Sequence, residues 1–339
     1  MVFYFLIGES TLKSKLIYFR RYSFLPLTFL IFSLLPIRFN EIKNFLNISF
    51  KIFYVSFLFG IIEYISPIEL WEQFFNISQF WKETGVDPWA DIPLAESGRF
   101  FSYDLYFLLG WKLRRAISIF LDPTLFSAFL YFILPYAVFK PYKRTKDYFL
   151  ISCIILMGIL TISKSFLLAL LTNLFFIVVG INYSIGYILL IVLLIILAFF
   201  NEFNFSIHGG LAHLYGLTSG LNLFITEGKI FGVGLGSAGN YSEGLLGVGG
   251  ESGLGSLIVQ LGVFGLLFIF FIYSILIALY KVYKLRKQWE YKASFVSLLS
   301  WFLIFLFSES SFGVTGNALI FVMVGMLLNS RANYSFKEG

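Results

Sequence analysis

The stretch Leu254–Tyr280, LGSLIVQLGVFGLLFIFFIYSILIALY, carries no charged side chain. It exceeds the ~20 apolar residues that an α-helix needs to cross a bilayer. Its apolar residues run on continuously, whereas the strands of a membrane barrel alternate apolar and polar positions over about ten residues. The run reads as a transmembrane helix near 254–280, and much of the chain is written the same way. Of 339 residues, 58% are hydrophobic and only 13% charged, and Phe alone numbers 44. Soluble domains are about 45–50% apolar and 25% charged, so this composition cannot supply a water-facing surface. A cytosolic enzyme, a secreted disulfide scaffold and a disordered chain are thereby excluded. The expected fold is all-α, a polytopic integral membrane helical bundle, with residues 1–339 forming a single integral membrane domain.

Working outward, apolar runs predict further helices near 22–37, 45–66, 122–139, 148–163, 166–181, 185–200, 293–307 and 315–328. The expected total is about 9–11 transmembrane helices. The formal charge of +6 is a topology signal before it is a ligand signal, because Lys and Arg gather in short cytoplasmic loops. Lys140, Lys143, Arg144 and Lys146 fill one such loop; Lys281, Lys284, Arg286, Lys287 and Lys292 fill another; Arg331 and Lys337 follow in the tail. An even number of predicted helices separates each cluster from the next, so all three share a side. Two long segments, 67–121 and 201–253, are then extracytoplasmic loops. Lys13, Lys15, Arg20 and Arg21 fall on the wrong side of this scheme, which requires either a further N-terminal helix or a re-entrant one. Cys153 is the single cysteine and sits in an apolar run, so no intramolecular disulfide forms.

The outward loops carry the polar minority. The first holds Trp71, Trp81, Trp89 and Trp111, suited either to interfacial anchoring or to stacking on sugars. It also holds Lys82, Arg99, Lys112, Arg114 and Arg115. Cations kept on the disfavoured side point to an anionic ligand, the alternative being solvated surface charge. Asp122-Pro123 reads as the N-cap and first residue of the following helix. The second loop holds His208 and His213, too few ligands for a metal but able to donate to phosphates or sugar hydroxyls. Fifteen glycines lie between Gly209 and Gly255. Within them Gly234-Leu-Gly-Ser-Ala-Gly239 matches a dinucleotide fingerprint letter for letter, but no strand precedes it and no βαβ unit surrounds it. Lys164, between two apolar runs, either snorkels or faces a polar cavity. Glu251 stands where the 254–280 helix begins, favoured there by the helix dipole and placed to act as a base. Glu309 lies in a short outward turn between the last two helices.

Several segments together resemble the O-antigen polymerase and ligase superfamily. They are Leu214-Tyr-Gly-Leu-Thr-Ser-Gly, Gly232-Val-Gly-Leu-Gly-Ser-Ala-Gly-Asn240, Glu251-Ser-Gly and Gln260-Leu-Gly-Val-Phe-Gly-Leu266. Upstream, Arg115-Ala-Ile-Ser-Ile-Phe-Leu-Asp-Pro-Thr124 and Thr161-Ile-Ser-Lys-Ser165 resemble the family's arginine before a helix start and its serine-rich turn. The resemblance covers roughly 100–330.

The resemblance implies extracytoplasmic glycosyl transfer from a polyprenyl diphosphate-linked oligosaccharide, with no cofactor and no metal, in a bacterial inner membrane. Its partners are that substrate and the lipid bilayer, with room for a chain-length regulator protein and none for nucleic acid. Ligases of the family commonly have histidine where this chain has Glu251, which favours a polymerase. The matching diphosphate-binding arginine is Arg115. Displacing a lipid diphosphate needs its developing charge stabilised, and an acceptor hydroxyl needs a base. The expected catalytic residues are Arg115, Glu251 and His213, with Arg99, Arg114, Lys164, Lys229 and His208 binding substrate. A ligase of the same fold and a transporter or flippase for lipid-linked saccharide are the competing expectations.

Overall fold

The computed structural model of the chain describes residues 10–84, 100–102, 110, 113–180, 210–242 and 251–329. Among them the protein is helical, and strand-like pairing is confined to one antiparallel bridge between Phe101 and Arg114. The helices are α1 (Leu12–Leu34), α2 (Phe39–Ile65), α3 (Ile68–Phe75), α4 (Ile77–Thr84), α5 (Pro123–Phe139) and α6 (Thr145–Leu160). They continue with α7 (Lys164–Val178), α8 (Gly210–Ile225), α9 (Gly253–Leu261), α10 (Val263–Arg286), α11 (Trp289–Phe307) and α12 (Val314–Leu328). Single 3-10 turns occupy Ser118–Phe120 and Glu309–Phe312.

Three helices, α2, α10 and α11, are long and apolar enough to cross a membrane. α5 and α7 are apolar but have 17 and 15 residues. At 1.5 Å per residue such helices cover about 22–26 Å of a ~30 Å hydrocarbon core. The described residues therefore hold fewer full-length candidates than the expected 9–11, and the helix expected at 185–200 lies outside them. The opening stretch keeps its span but not its bounds. The expected helix 254–280 is two helices, α9 and α10, broken at Gly262 with φ +57°. A Cβ at Gly262 would stand 2.1 Å from the Ile230 carbonyl oxygen, so only glycine fits this crossing of two backbones. Conversely, α1 starts at Leu12 and carries Lys13, Lys15, Arg20 and Arg21 on the helix instead of ahead of it.

The chain divides into two compact units, one of Met1–Leu25 with Leu168–Phe312 and one of Pro26–Leu167 with Gly313–Gly339. In the first unit, α11 is buried along most of its length. Trp301 stacks on Phe305 with centroids 5.5 Å apart, and its indole N–H donates to the Ser311 carbonyl at 2.9 Å. That bond satisfies the one polar atom of a fully buried ring. In the second unit α5 is the buried element, which fits its almost wholly apolar sequence. The expected cap is present: Asp122 Oδ1 accepts from the backbone N–H groups of Thr124 at 2.6 Å and Leu125 at 3.0 Å, with Pro123 opening the helix. The Tyr131 hydroxyl of α5 donates to the Asn317 side chain of α12. Cys153 is buried in α6 and unpaired. Trp71 packs with Ile77, Phe100 and Ile117, so its ring belongs to a small core under α3 and α4. The side chain of Trp81, and all of Trp89 and Trp111, lie outside the described residues.

Candidate functional site

In the first unit a carboxylate is enclosed where α11 ends. The chain turns at Ser308 into the 3-10 segment, and the Glu309 N–H donates to the Glu251 carbonyl at 2.7 Å. The Glu309 side chain is only 1% exposed. Its Oε1 accepts from Arg21 Nη1 at 2.8 Å, and its Oε2 accepts from the Asn240 backbone N–H at 2.7 Å. The Tyr18 hydroxyl donates to the same carboxylate. Arg21 comes from α1 and lies 4.1 Å over the ring of Tyr241. This guanidinium therefore has an anion on one side and the negative face of an aromatic ring on another. Burial pushes the Glu309 carboxyl above the ordinary glutamate range, while the Arg21 guanidinium and the Asn240 N–H oppose that rise.

The glycine-rich segment forms the cover of this pocket. Val233 N–H donates to the Val259 carbonyl at 2.8 Å and Gly234 N–H to the Gln260 carbonyl at 3.1 Å. Gln260 then uses its whole amide. Its Oε1 accepts from Gly236 N–H at 2.8 Å, and its Nε2 donates to the Ala238 carbonyl at 2.7 Å and to the Tyr22 hydroxyl at 3.0 Å. Tyr22 in turn donates to Ser256 Oγ at 3.3 Å. The fingerprint-like Gly234–Gly239 is thus a loop folded onto α9, with its backbone groups bonded to Gln260. Gly239, at φ +91°, packs so closely that a Cβ would meet the Tyr18 hydroxyl at 2.2 Å and Glu309 Oε1 at 2.9 Å.

The second unit holds its own buried ion pair. Glu63, near the end of α2, is fully buried and accepts from Arg114 Nη2 at 2.9 Å. Its other oxygen accepts from the N–H groups of Ile117 at 3.1 Å and Ser118 at 3.4 Å. Arg114 Nη1 also donates to the Ser66 carbonyl at 2.5 Å, and the guanidinium lies 4.7 Å over the Phe100 ring. Its neighbour Arg115 is held differently. The Arg115 N–H donates to the Phe100 carbonyl at 2.8 Å, and its Nε donates to the Thr161 carbonyl at 2.9 Å. Ala116 N–H bonds the Leu160 carbonyl at 2.8 Å, and Ser127 Oγ donates to Ser163 Oγ at 2.9 Å. The Arg115 segment and the Thr161–Ser165 turn, far apart in sequence, are therefore laced together. Lys164 opens α7 from this turn and is exposed.

Of the expected site residues, Arg114, Arg115 and Lys164 stand in the second unit, while Glu251 and Lys229 stand in the first. Arg114 is engaged by Glu63, an ion pair that anchors the segment carrying Arg115. Glu251 is half-buried and touches the Glu309 turn through its carbonyl; Lys229 is exposed in the turn after α8. His213 lies on α8, but its side chain is outside the described residues, as are Arg99 and His208. Tyr18, Arg21, Tyr22, Asn240 and Gln260 were not singled out by sequence. The signals were the misfit of Arg21 in the topology scheme and the lone amide of Gln260 within an apolar run. Compared with family models, curated proteins and solved structures, the chain has no match in any of the three.

Proposed function

We propose that the chain is a polytopic inner-membrane glycosyltransferase that polymerises polysaccharide, O-antigen, capsule or exopolysaccharide, from polyprenyl diphosphate-linked repeat units. It spans the membrane about 9–11 times and works on the extracytoplasmic face without metal. The observation that carries the reading is pairwise assembly of the segments that bear the resemblance. In one unit the Gly232–Asn240 loop bonds Gln260 and is joined to Glu251 through Glu309; in the other the Arg115 segment meets the Thr161–Ser165 turn.

In this reaction an acceptor hydroxyl attacks the anomeric carbon of the growing glycan. Its proton passes to Glu251, with His213 as the second candidate. The bond from the anomeric carbon to the diphosphate oxygen breaks, and the polyprenyl diphosphate leaves with the electron pair. Arg115, held in place by Thr161, stabilises that charge; Lys164, Arg99, Lys229 and His208 bind the remaining anionic and hydroxyl groups. No covalent intermediate is needed, so the displacement inverts. Glu309 and Arg21 are positioning residues that fix the glycine-rich loop beside Glu251.

Deleting the gene and resolving the surface glycan on a gel tests the proposal. Loss of the long-chain ladder with single repeat units still attached supports it. Complete loss of surface attachment assigns a ligase, and accumulation of lipid-linked units on the cytoplasmic side assigns a flippase.

A further inference from the structure

A cavity of about 150 Å³ in the second unit shares no lining residue with the Glu63–Arg114 pair. It is lined by Phe50 and Tyr54 of α2, Ala137 of α5, Lys140, and Lys146, Asp147 and Leu150 of α6. Its polar side is organised by Asp147. Oδ1 accepts from Lys140 Nζ at 2.7 Å, and Oδ2 accepts from the Arg144 N–H at 2.8 Å. Lys140 is thus committed to a carboxylate. Lys146, on the same rim, is exposed, and its charge acts on Asp147 without a direct ion pair to it. The charged lining is thus two lysines and one aspartate, and the loop leading into α6 carries Lys143 and Arg144 in addition.

The apolar side continues along α2. On α2 the last charge before the apolar run is Lys51, and none follows until Glu63. Tyr54, Leu58 and Ile62 are spaced by four, share one helix face, and are 42%, 61% and 52% exposed. Tyr142 and Tyr148 stand open beside the mouth, as aromatic residues do at headgroup level. The cavity therefore sits where an apolar helix face gives way to a basic loop.

We propose that this cavity binds the phosphate of an anionic phospholipid, with Lys146 as its counter-charge and the acyl chains along the Tyr54–Leu58–Ile62 face. Basic pockets between helices on the cytoplasmic side of a membrane bind such headgroups. A free phosphate offers the same charge, but it leaves the apolar wall without an occupant. The binding is independent of glycan chemistry.

The test uses the detergent-purified full chain and measures affinity for phosphatidylglycerol, phosphatidylcholine and inorganic phosphate. Phosphatidylglycerol binds most tightly, and Lys146→Gln weakens it about fivefold, as expected for one juxtamembrane lysine. Lys146→Arg retains binding, because it keeps the charge. Equal affinity for the zwitterionic and anionic lipids overturns the proposal. So does inorganic phosphate displacing the lipid at equal concentration, or a Lys146→Gln protein of unchanged melting temperature and undiminished affinity.

Discussion

Replacing Arg21 with Met removes the counter-charge from a carboxylate that is 1% exposed. Methionine is close to arginine in length and fills the space with little cavity cost. The Glu309 carboxylate keeps the Asn240 N–H at 2.7 Å and the Tyr18 hydroxyl, but loses the 2.8 Å bond to Arg21. Breaking a buried pair by removing one partner costs ~3–5 kcal/mol, because the remaining charge is left uncompensated. The lost contact with the Tyr241 ring belongs to the same loss and adds about 0.5–2 kcal/mol at most. At about 2–4 °C per kcal/mol for a unit of this size, the melting temperature in detergent falls by about 6–20 °C. Glu309→Gln alone costs less, since a neutral amide can still accept from Asn240. The double variant, Arg21→Met with Glu309→Gln, costs clearly less than the sum of the two, because no orphan charge remains. The coupling should reach ~2–3 kcal/mol, within the range for contacting residues. Additivity to within about 0.5 kcal/mol, or an Arg21→Met melting point near wild type, would refute the assignment of a buried ion pair.

Three other outcomes follow from the geometry. Gly239→Ala should cost about 2–4 kcal/mol, combining a positive φ with a Cβ driven into the Tyr18 hydroxyl and Glu309; Gly228→Ala, at φ +66° with open space around it, should cost ~1 kcal/mol. Equal melting temperatures for the two variants would show that the glycine-rich loop does not pack on Glu309. The Lys140 hydrogen bond holds the Asp147 carboxyl below the ordinary aspartate range, so its contribution is present above the unfolded value and is lost as pH falls through the folded one. The melting difference between wild type and Asp147→Asn should thus be seen at neutral pH and close in acid; a gap that widens in acid contradicts it. Arg115→Ala should abolish the glycan ladder at normal protein abundance, whereas Arg115→Lys, a point charge without the Nε bond to Thr161, should leave a shortened one. An intact ladder in Arg115→Ala removes this arginine from the mechanism.

Sequence reading reaches the elements whose physics is local. The apolar runs of α2 and α10 announce themselves by composition, and Asp122-Pro123 announces the start of α5 because a cap needs only neighbouring residues. Gly262 was illegible as a break. A glycine inside an apolar run resembles its neighbours until the Ile230 backbone is seen passing over it. The Arg21–Glu309 pair was illegible for a different reason: its partners stand 288 positions apart, and no local rule joins them. Gln260 shows the same limit. A lone amide in an apolar helix is noticeable, yet only the fold reveals that it satisfies Gly236, Ala238 and Tyr22 together. Arg114 was noticed for its charge, and what the fold adds is Glu63, a charge within α2 that holds it.

The most direct measurement reconstitutes the full chain in proteoliposomes with polyprenyl diphosphate-linked repeat units and follows both glycan length and released polyprenyl diphosphate. A polymerase yields a ladder of products with one diphosphate carrier freed per added unit. Glu251→Gln should stop both signals in protein that remains folded, as read by a cooperative melting transition. Folded protein that neither lengthens the glycan nor frees the carrier, or a Glu251→Gln variant that does both at the wild-type rate, would contradict the account.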